Sequence, residues 1–254
     1  MEPVRAKKHL GQHFLKDENI ARKIAESLSP GVSQVLEVGP GTGVLTKYLI
    51  ANHYSSFKAI ELDRESAAYL KSAFTLGEDL IHADFLRTDI SALFEGPFAV
   101  IGNFPYNISS QIFFKVVENR DKVSECVGMI QREVAQRMVS KPGTKDYGIL
   151  SILLRAWYDI EILFIVPPQV FVPPPKVTSA VVKLTRNGIV DLGCDTKLFS
   201  TVVKTAFNQR RKTLHNSLKP LADYNGEFTG KRAEQLSISD FVTLTNDIAE
   251  TCSQ

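Results

Sequence analysis

Apolar and polar residues alternate along the chain in a repeating pair: a short apolar run, then a longer amphipathic stretch. QVLEVG (34–39) ends in glycine, and residues 43–51 follow with Leu45, Leu49 and Ile50 at helical spacing. FKAIEL (57–62) and residues 64–74 repeat the pair. DLIHAD (79–84), FAVIGN (98–103) and CVGMIQ (126–131) read as further strands, with helices over 109–118 and from Arg132. This rhythm predicts a parallel sheet with crossover helices. A preceding helix, carrying Ile20, Ile24 and Leu28, starts behind Asp17 and stops at Pro30-Gly31.

Farther on, a helix runs from Ile149 towards Trp157, and residues 158–166 and 177–184 read as strands. Between them lies PPQVFVPPP, with five prolines in nine residues. Such a segment is neither helix nor central strand but a stiff extended loop. After Arg186-Asn187-Gly188 no strand-like run remains, and 195–206, 208–218, 230–236 and 238–250 read as helices. The expectation is an α/β protein: a Rossmann-like sheet domain over 1–186 and a small C-terminal all-helical domain over 187–254.

Composition narrows the class. The chain has 254 residues, 44% hydrophobic and 23% charged, which excludes wholesale disorder and coiled-coil architecture. Three scattered cysteines without a CxxC and five histidines without ligand spacing give no disulfide frame and no metal site. The first fifteen residues lack an apolar run, and no stretch reaches the ~18 apolar residues of a membrane span. A cytoplasmic protein is expected. A net charge of +2 is silent about nucleic acid, so that signal must be local. It is concentrated at Arg5, Lys7, Lys8 and Lys16, and in the acid-free window 207–219 with Arg210, Arg211 and Lys212. The bland reading of such runs is a solvated face; the absence of acids favours RNA phosphates.

Four strand ends carry candidate chemistry. EVGPGTG (37–43) runs from a strand into a glycine turn at Gly39, Gly41 and Gly43. Its G-x-G-x-G spacing differs from the G-x-G-x-x-G that seats a pyrophosphate, and Pro40 removes an amide. A nucleoside without phosphates fits better. Glu61, at the next strand tip, can accept two ribose hydroxyls, with Asp63 left to cap the following helix. Asp84 in HADF can accept from an adenine amine, and Phe85 can cover the ring. IGNFPYN (101–107) is the sharpest signal. There Asn103 offers a side-chain oxygen, Pro105 stiffens the turn and offers its own backbone carbonyl outwards as the other acceptor, and Tyr106 offers a π face. Two acceptors and a ring suit the exocyclic amine of an unstacked base.

The glycine loop and the Asn103–Tyr106 turn resemble those of S-adenosylmethionine-dependent adenine N-methyltransferases. GQHFL (11–15), VFVPPPKVTSAVVKL (170–184) and AFNQRRKTLHNSL (206–218) narrow the resemblance to the small-subunit ribosomal RNA adenine dimethyltransferase family. The resemblance implies the following. S-adenosylmethionine is the cofactor, with Gln12, His13 and Leu15 over its methionine part and Gly39 and Gly41 at its amino-acid end. Glu61 lies on the ribose, Asp84 on the adenine amine, and Asn103 bridges cofactor and target. Pro105 and Tyr106 stand beside the target adenine, and Phe171 stacks on its other face. Beside these, the charge clusters themselves point to Arg210, Arg211, Lys212, Lys7 and Lys8 as the residues that hold RNA, and the spacing of histidines and cysteines points to no metal. The product is N6,N6-dimethyladenosine, at two adjacent sites in small-subunit RNA of a pre-ribosomal particle, made by a monomer during ribosome biogenesis. One departure is His13, where the family pattern reads Gly-Gln-Asn-Phe-Leu. Two other readings stand beside this one: a large-subunit RNA methylase of the macrolide-resistance kind, and a non-catalytic RNA-binding assembly or transcription factor on the same fold. The intact glycine loop, ribose acid and Asn103 turn weigh against the second.

Overall fold

The computed structural model describes residues 4–252; Glu2, one of the charges near the N-terminus, lies outside them. In chain order the elements are β1 (Phe14–Leu15), α1 (Glu18–Ala25), β2 (Gln34–Val38), α2 (Thr46–Ala51), β3 (Ser56–Glu61), α3 (Arg64–Ala73), β4 (Leu80–His82), β5 (Phe98–Asn103), α4 (Ser109–Glu118) and β6 (Val123–Gln131). There follow α5 (Arg132–Val139), α6 (Ile149–Arg155), β7 (Tyr158–Val166), β8 (Phe171–Val172), β9 (Ser179–Arg186), α7 (Thr196–Asn208), α8 (Leu214–Ser217) and α9 (Ile238–Cys252).

Seven strands form one sheet in the order β4-β3-β2-β5-β6-β9-β7. β2 pairs in parallel with both β3 and β5, β3 with β4, and β5 with β6; β9 runs antiparallel to β6. The chain winds outward from β2 to β4, then returns to β5 on the other side. The reversal leaves a crevice beyond the carboxyl ends of β2 and β5, where ligands of open α/β sheets sit. The central strands are apolar on both faces: Val35 and Leu36 in β2, Ala99, Val100 and Ile101 in β5 and Val127, Met129 and Ile130 in β6 are at 0% exposure. That is the signature of a sheet covered by helices on both sides. Asp17 opens α1, its carboxylate accepting from the Asn19 and Ile20 amides at 3.0 Å each.

The second helix begins at Thr46, three residues later than its apolar spacing suggests. Residues 39–45 are spent on a turn in which Gly41 has φ of +58°. The C-terminal region is less helical than its periodicity. α7 ends at Asn208, and residues 209–213 leave the helix before the short α8. Residues 230–236 hold only a 3-10 turn at Ala233–Gln235.

The chain divides into two compact units, and not by one cut at 186/187. The first takes the chain through Ala135 together with Ile160–Arg186; the second takes Gln136–Asp159 and the chain from Asn187 on. Hydrogen bonds explain why 136–159 belongs with the second unit. The Tyr147 hydroxyl donates to the Leu236 carbonyl at 2.9 Å, the Gly143 amide to the Glu234 carbonyl at 2.7 Å, and the Tyr147 ring stands edge-on to Phe207 at 6.2 Å. Phe207 in turn stacks on Phe241 of α9 at 6.1 Å.

Candidate active site

A cavity opens at the crevice beyond β2 and β5. Its wall includes Gln12 and His13, Gly39 and Gly41, Glu61, Asp84 and Phe85, and Asn103, Pro105 and Tyr106. Each expected strand-tip residue is therefore on one surface. Leu10, Val38, Ile60, Leu62 and Ile108 add apolar lining.

The glycine loop is held by its own amides. Gly39 donates to the Ile60 carbonyl at 2.9 Å and Gly43 to the Pro40 carbonyl at 2.9 Å. Gly41 donates to Glu61 Oε2 at 2.9 Å, and Pro40 has no amide to give. These donors are committed within the protein, so the loop is not a phosphate cradle of free N–H groups. At Gly41 a Cβ would stand 2.9 Å from the Phe14 ring, and its positive φ disfavours any side chain. Glu61 is 4% exposed, and its other oxygen accepts from the Asp63 amide at 2.8 Å. Burial pushes this carboxyl above the usual range, while the Asp63 and Gly41 amides pull it back. Glu61 is thus not free of structural duty, but a carboxylate has about four acceptor sites and two are used.

Asp84 caps the turn after β4, accepting from the Leu86 amide at 2.9 Å, while its side chain keeps 34% exposure beside the cavity. Phe85 is buried under Lys115, whose ammonium lies 5.8 Å from the ring.

At the tip of β5, Asn103 Nδ2 donates to the His13 carbonyl at 2.8 Å. The turn itself corrects one expectation. The Pro105 carbonyl accepts from the Ile108 amide at 3.2 Å, so it is engaged inside the turn. The Phe104 carbonyl, beyond the last paired rung Asn103–Met129, accepts from no described backbone N–H. Phe104 donates its amide to the Met129 carbonyl at 3.1 Å, and its buried ring lies where a Cβ on Gly128 would stand only 2.4 Å away. The glycine thus makes the slot that anchors the turn. The Tyr106 hydroxyl hydrogen-bonds the Ser179 hydroxyl, its burial pushing the phenol upward, and its ring packs 5.3 Å from that of His13 at 32°.

The N-terminal segment forms one wall. His13 Nδ1 is 2.7 Å from the Pro173 carbonyl, and β1 pairs with β8 so that Leu15 stands opposite Phe171. Gln12 Oε1 accepts from the Lys7 amide at 2.8 Å. His13, standing for the family asparagine, is thereby tied to the proline-rich loop.

Several expected site residues are placed otherwise. Phe171 is 1% exposed in the apolar core with Ile24, Ala99 and Val181, and it does not line the cavity. Its ring is spent on packing, so it offers no face to a base. Leu15, 6% exposed, belongs to the same core and borders only a small adjoining cavity with Glu37. Lys7 forms ion pairs with Asp63 and Glu65, which occupies the charge expected to meet RNA; Lys8 is exposed. Arg210 is also engaged within the protein, with its guanidinium on the Thr144 and Lys145 carbonyls, whereas Arg211 and Lys212 are exposed.

One buried group escaped the sequence reading. Glu37, inside the apolar run of β2, is 1% exposed and borders the small cavity beside Gly39 and Asn103. Burial pushes its carboxyl up to about 8; the nearby Thr46 hydroxyl pulls it down and the Glu61 charge pushes it up. Glu37 Oε2 and Thr46 Oγ1 have no hydrogen-bond partner among the described residues. A lone carboxylate inside a fully buried strand was the available signal. Among the described residues no cluster of three metal-ligating side chains occurs, and no helix is long and apolar enough to cross a membrane.

A mostly parallel sheet with its cavity at the switch point, a G-x-G-x-G loop, a strand-tip acid and an Asn-Phe-Pro-Tyr turn together define a Rossmann-like methyltransferase. The match to known proteins carries this further. Residues 4–251 match the family model described as ribosomal RNA adenine dimethylase. The chain is 57% identical over 253 residues to the ribosomal RNA small subunit methyltransferase A of Parabacteroides distasonis, covering 96% of this chain and 94% of that protein. Among solved structures it resembles a dimethyladenosine transferase from Plasmodium falciparum, with a TM-score of 0.76 and 25% identity over 94% of this chain and 98% of that one. It also resembles the 23S rRNA methyltransferase ErmE, with a TM-score of 0.66 and 25% identity over 93% and 99% of the two chains. The chain belongs to the ribosomal RNA adenine dimethylase family.

Proposed function

We propose that the chain transfers methyl groups from S-adenosylmethionine to N6 of adenosines, two methyls per base and two adjacent bases, in small-subunit ribosomal RNA of an assembling particle. It does so in the cytoplasm and as a monomer. The observation that carries this reading is the Asn103 turn. Its side-chain amide is committed to the His13 carbonyl, so Oδ1 is left as an acceptor beside the cavity, next to the Phe104 carbonyl.

The cavity fits the cofactor on its own geometry. Glu61 offers unused lone pairs at the tip of β3, Asp84 a partly exposed carboxylate just beyond the neighbouring β4, and apolar side chains such as Ile60 and Leu62 line the cavity with them. The glycine loop has no free phosphate cradle, which suits a nucleoside bearing an amino acid. In this reading Glu61 holds the ribose hydroxyls, Asp84 and the Phe85 ring hold the adenine, and Gln12, His13, Gly39 and Gly41 border the methionine part. When bound, S-adenosylmethionine supplies a methyl group on a sulfonium, whose C–S bond electrons leave with sulfur.

The residues of this chain prepare the nucleophile. An adenine amine is weak because its lone pair is delocalised into the ring. Asn103 Oδ1 and the Phe104 carbonyl accept from the amine, localise that lone pair and hold it in line. Positioning of this kind can supply about 7–11 kcal/mol in favourable cases. As the N–C bond forms, positive charge grows on nitrogen and the same oxygens stabilise it. The resulting ammonium is acidic and releases its proton to water, so no general base is needed. Tyr106, its hydroxyl fixed on Ser179, gives the base a wall. For a second transfer, the monomethylated amine must return with only one N–H to donate.

The test is incubation of the protein with labelled cofactor and undermodified small-subunit particles, followed by nucleoside analysis. Labelled N6,N6-dimethyladenosine is expected, and its absence would overturn the reading. The likeness to ErmE supports a second reading, large-subunit RNA as substrate. Label appearing only in large-subunit RNA would establish that alternative.

A further inference from the structure

Arg210 leaves the end of α7 and turns back onto the loop 140–147. Its Nη1 donates to the Lys145 carbonyl at 2.5 Å and its Nη2 to the Thr144 carbonyl at 3.1 Å, while Nε lies 3.8 Å from Glu234 Oε2. The Gly143 amide donates to the Glu234 carbonyl at 2.7 Å. Within the loop, the Thr144 amide and hydroxyl both donate to the Lys141 carbonyl, at 3.3 and 2.7 Å. The Tyr147 hydroxyl closes the far end on the Leu236 carbonyl. Residues 141–146 are all exposed, and an exposed loop of this composition is ordinarily mobile. Here both flanks are fastened to the second unit.

The fastening presents charge. Lys141 and Lys145 are exposed on the loop, and Arg211 and Lys212 are exposed directly after the residue that holds it. Asp146 is the loop's one carboxylate, and Arg210 itself is offset by Glu234. We propose that the 140–147 loop is a phosphate-binding element, with Lys141 and Lys145 contacting RNA. Arg210 serves as a positioning residue that holds the loop, and it is not itself a phosphate ligand. This rests on the reading of the chain as an RNA methyltransferase. An arginine fork spread over two carbonyls has fewer donors left for an anion, and lysines on a fixed loop lose less freedom on binding.

The test is binding of undermodified small-subunit particles across a range of salt concentrations. Wild type is compared with Lys141→Ala/Lys145→Ala, Arg210→Ala, Arg210→Lys and the combined variants, each checked for folding by thermal unfolding. Each lost phosphate contact lowers the slope of log affinity against log salt by about one. The lysine pair should lower it by about two. Arg210→Ala should weaken binding, yet add nothing in the lysine-less background, because the two act through one loop. Arg210→Lys keeps the charge but cannot span both carbonyls, and should behave like Arg210→Ala. A lysine-pair variant with wild-type slope would overturn the proposal. So would an Arg210→Lys variant that binds like wild type, or an Arg210→Ala effect fully additive to the lysine pair. Wild type failing to bind small-subunit particles would sink the functional reading and this inference together; wild-type binding with unaffected lysine variants would sink only the inference.

Discussion

Asn103 at the end of β5 donates its side-chain amide to the backbone carbonyl of His13 at 2.8 Å, across 90 residues of sequence. The bond decides which end of the amide faces the cavity. It also couples the Asn103 turn to the N-terminal wall, which is itself fixed on the Pro173 carbonyl through the His13 ring.

Glu61 accepts from two backbone amides, one in the glycine loop and one at the start of α3. In Glu61→Gln one oxygen becomes an NH2 group facing an N–H donor, and the ribose loses an anionic acceptor. Hydrogen bonds to charged groups contribute about 1.5–3 kcal/mol, so cofactor affinity should fall by roughly ten- to a hundredfold. Calorimetric titration with S-adenosylmethionine measures this directly. Affinity equal to wild type would refute the ribose assignment.

The Glu37 carboxyl, raised from 4.5 to about 8 by burial, makes stability fall as pH rises. Below pH 4.5 the group is protonated in both states and costs nothing. Between 4.5 and 8 the unfolded chain releases the proton while the folded protein keeps it, so the folded state binds more protons and loses stability with pH. The slope from one such group approaches about 1.4 kcal/mol per pH unit. Denaturant unfolding at several pH values should show a flatter profile for Glu37→Gln than for wild type; identical profiles would rule the effect out.

At Gly128 a Cβ would stand 2.4 Å from the Phe104 ring. Gly128→Ala should destabilise the protein by about 1–3 kcal/mol, the usual cost of overpacking, and lower turnover by displacing the Asn103 turn. Denaturation midpoints and steady-state rates together check this. A variant unchanged in both would show that the slot is not needed.

Lys7 and Lys8 are adjacent in sequence but differ in role. Lys7 is paired with Asp63 and Glu65, and Lys8 is exposed. Lys8→Ala should lower the salt slope of particle binding by about one, and Lys7→Ala should leave that slope unchanged. The reverse pattern would contradict the placement of both.

The gathering of the strand-tip residues at one edge was legible in the sequence because a parallel sheet sends each βα turn to the same edge. Gly39, Glu61, Asp84 and Asn103 could be aligned from spacing alone. Bonds between distant segments could not. Nothing local to Lys7 announces Asp63, and nothing local to Arg210 announces Thr144. Phe171 illustrates a second limit. A proline-stiffened loop suggests an exposed ring, but pairing of β8 with β1 turns that ring into the core opposite Leu15. The helical periodicity of 208–218 misled for a related reason: the segment breaks at 209–213, where Arg210 reaches the neighbouring loop. Residues 136–159 look like a continuation of the sheet domain until Tyr147 and Gly143 are seen bonding to Leu236 and Glu234.

The central claim is that Asn103 acts chiefly on the reacting amine, with only a small share in cofactor retention. Turnover and cofactor affinity measured in parallel for Asn103→Ala test it most directly. Turnover on small-subunit particles should fall by at least about a hundredfold, as for loss of one group that stabilises developing charge, while the dissociation constant for S-adenosylmethionine stays within roughly threefold. Turnover within about tenfold of wild type, or a loss explained wholly by weaker cofactor binding, would contradict the account.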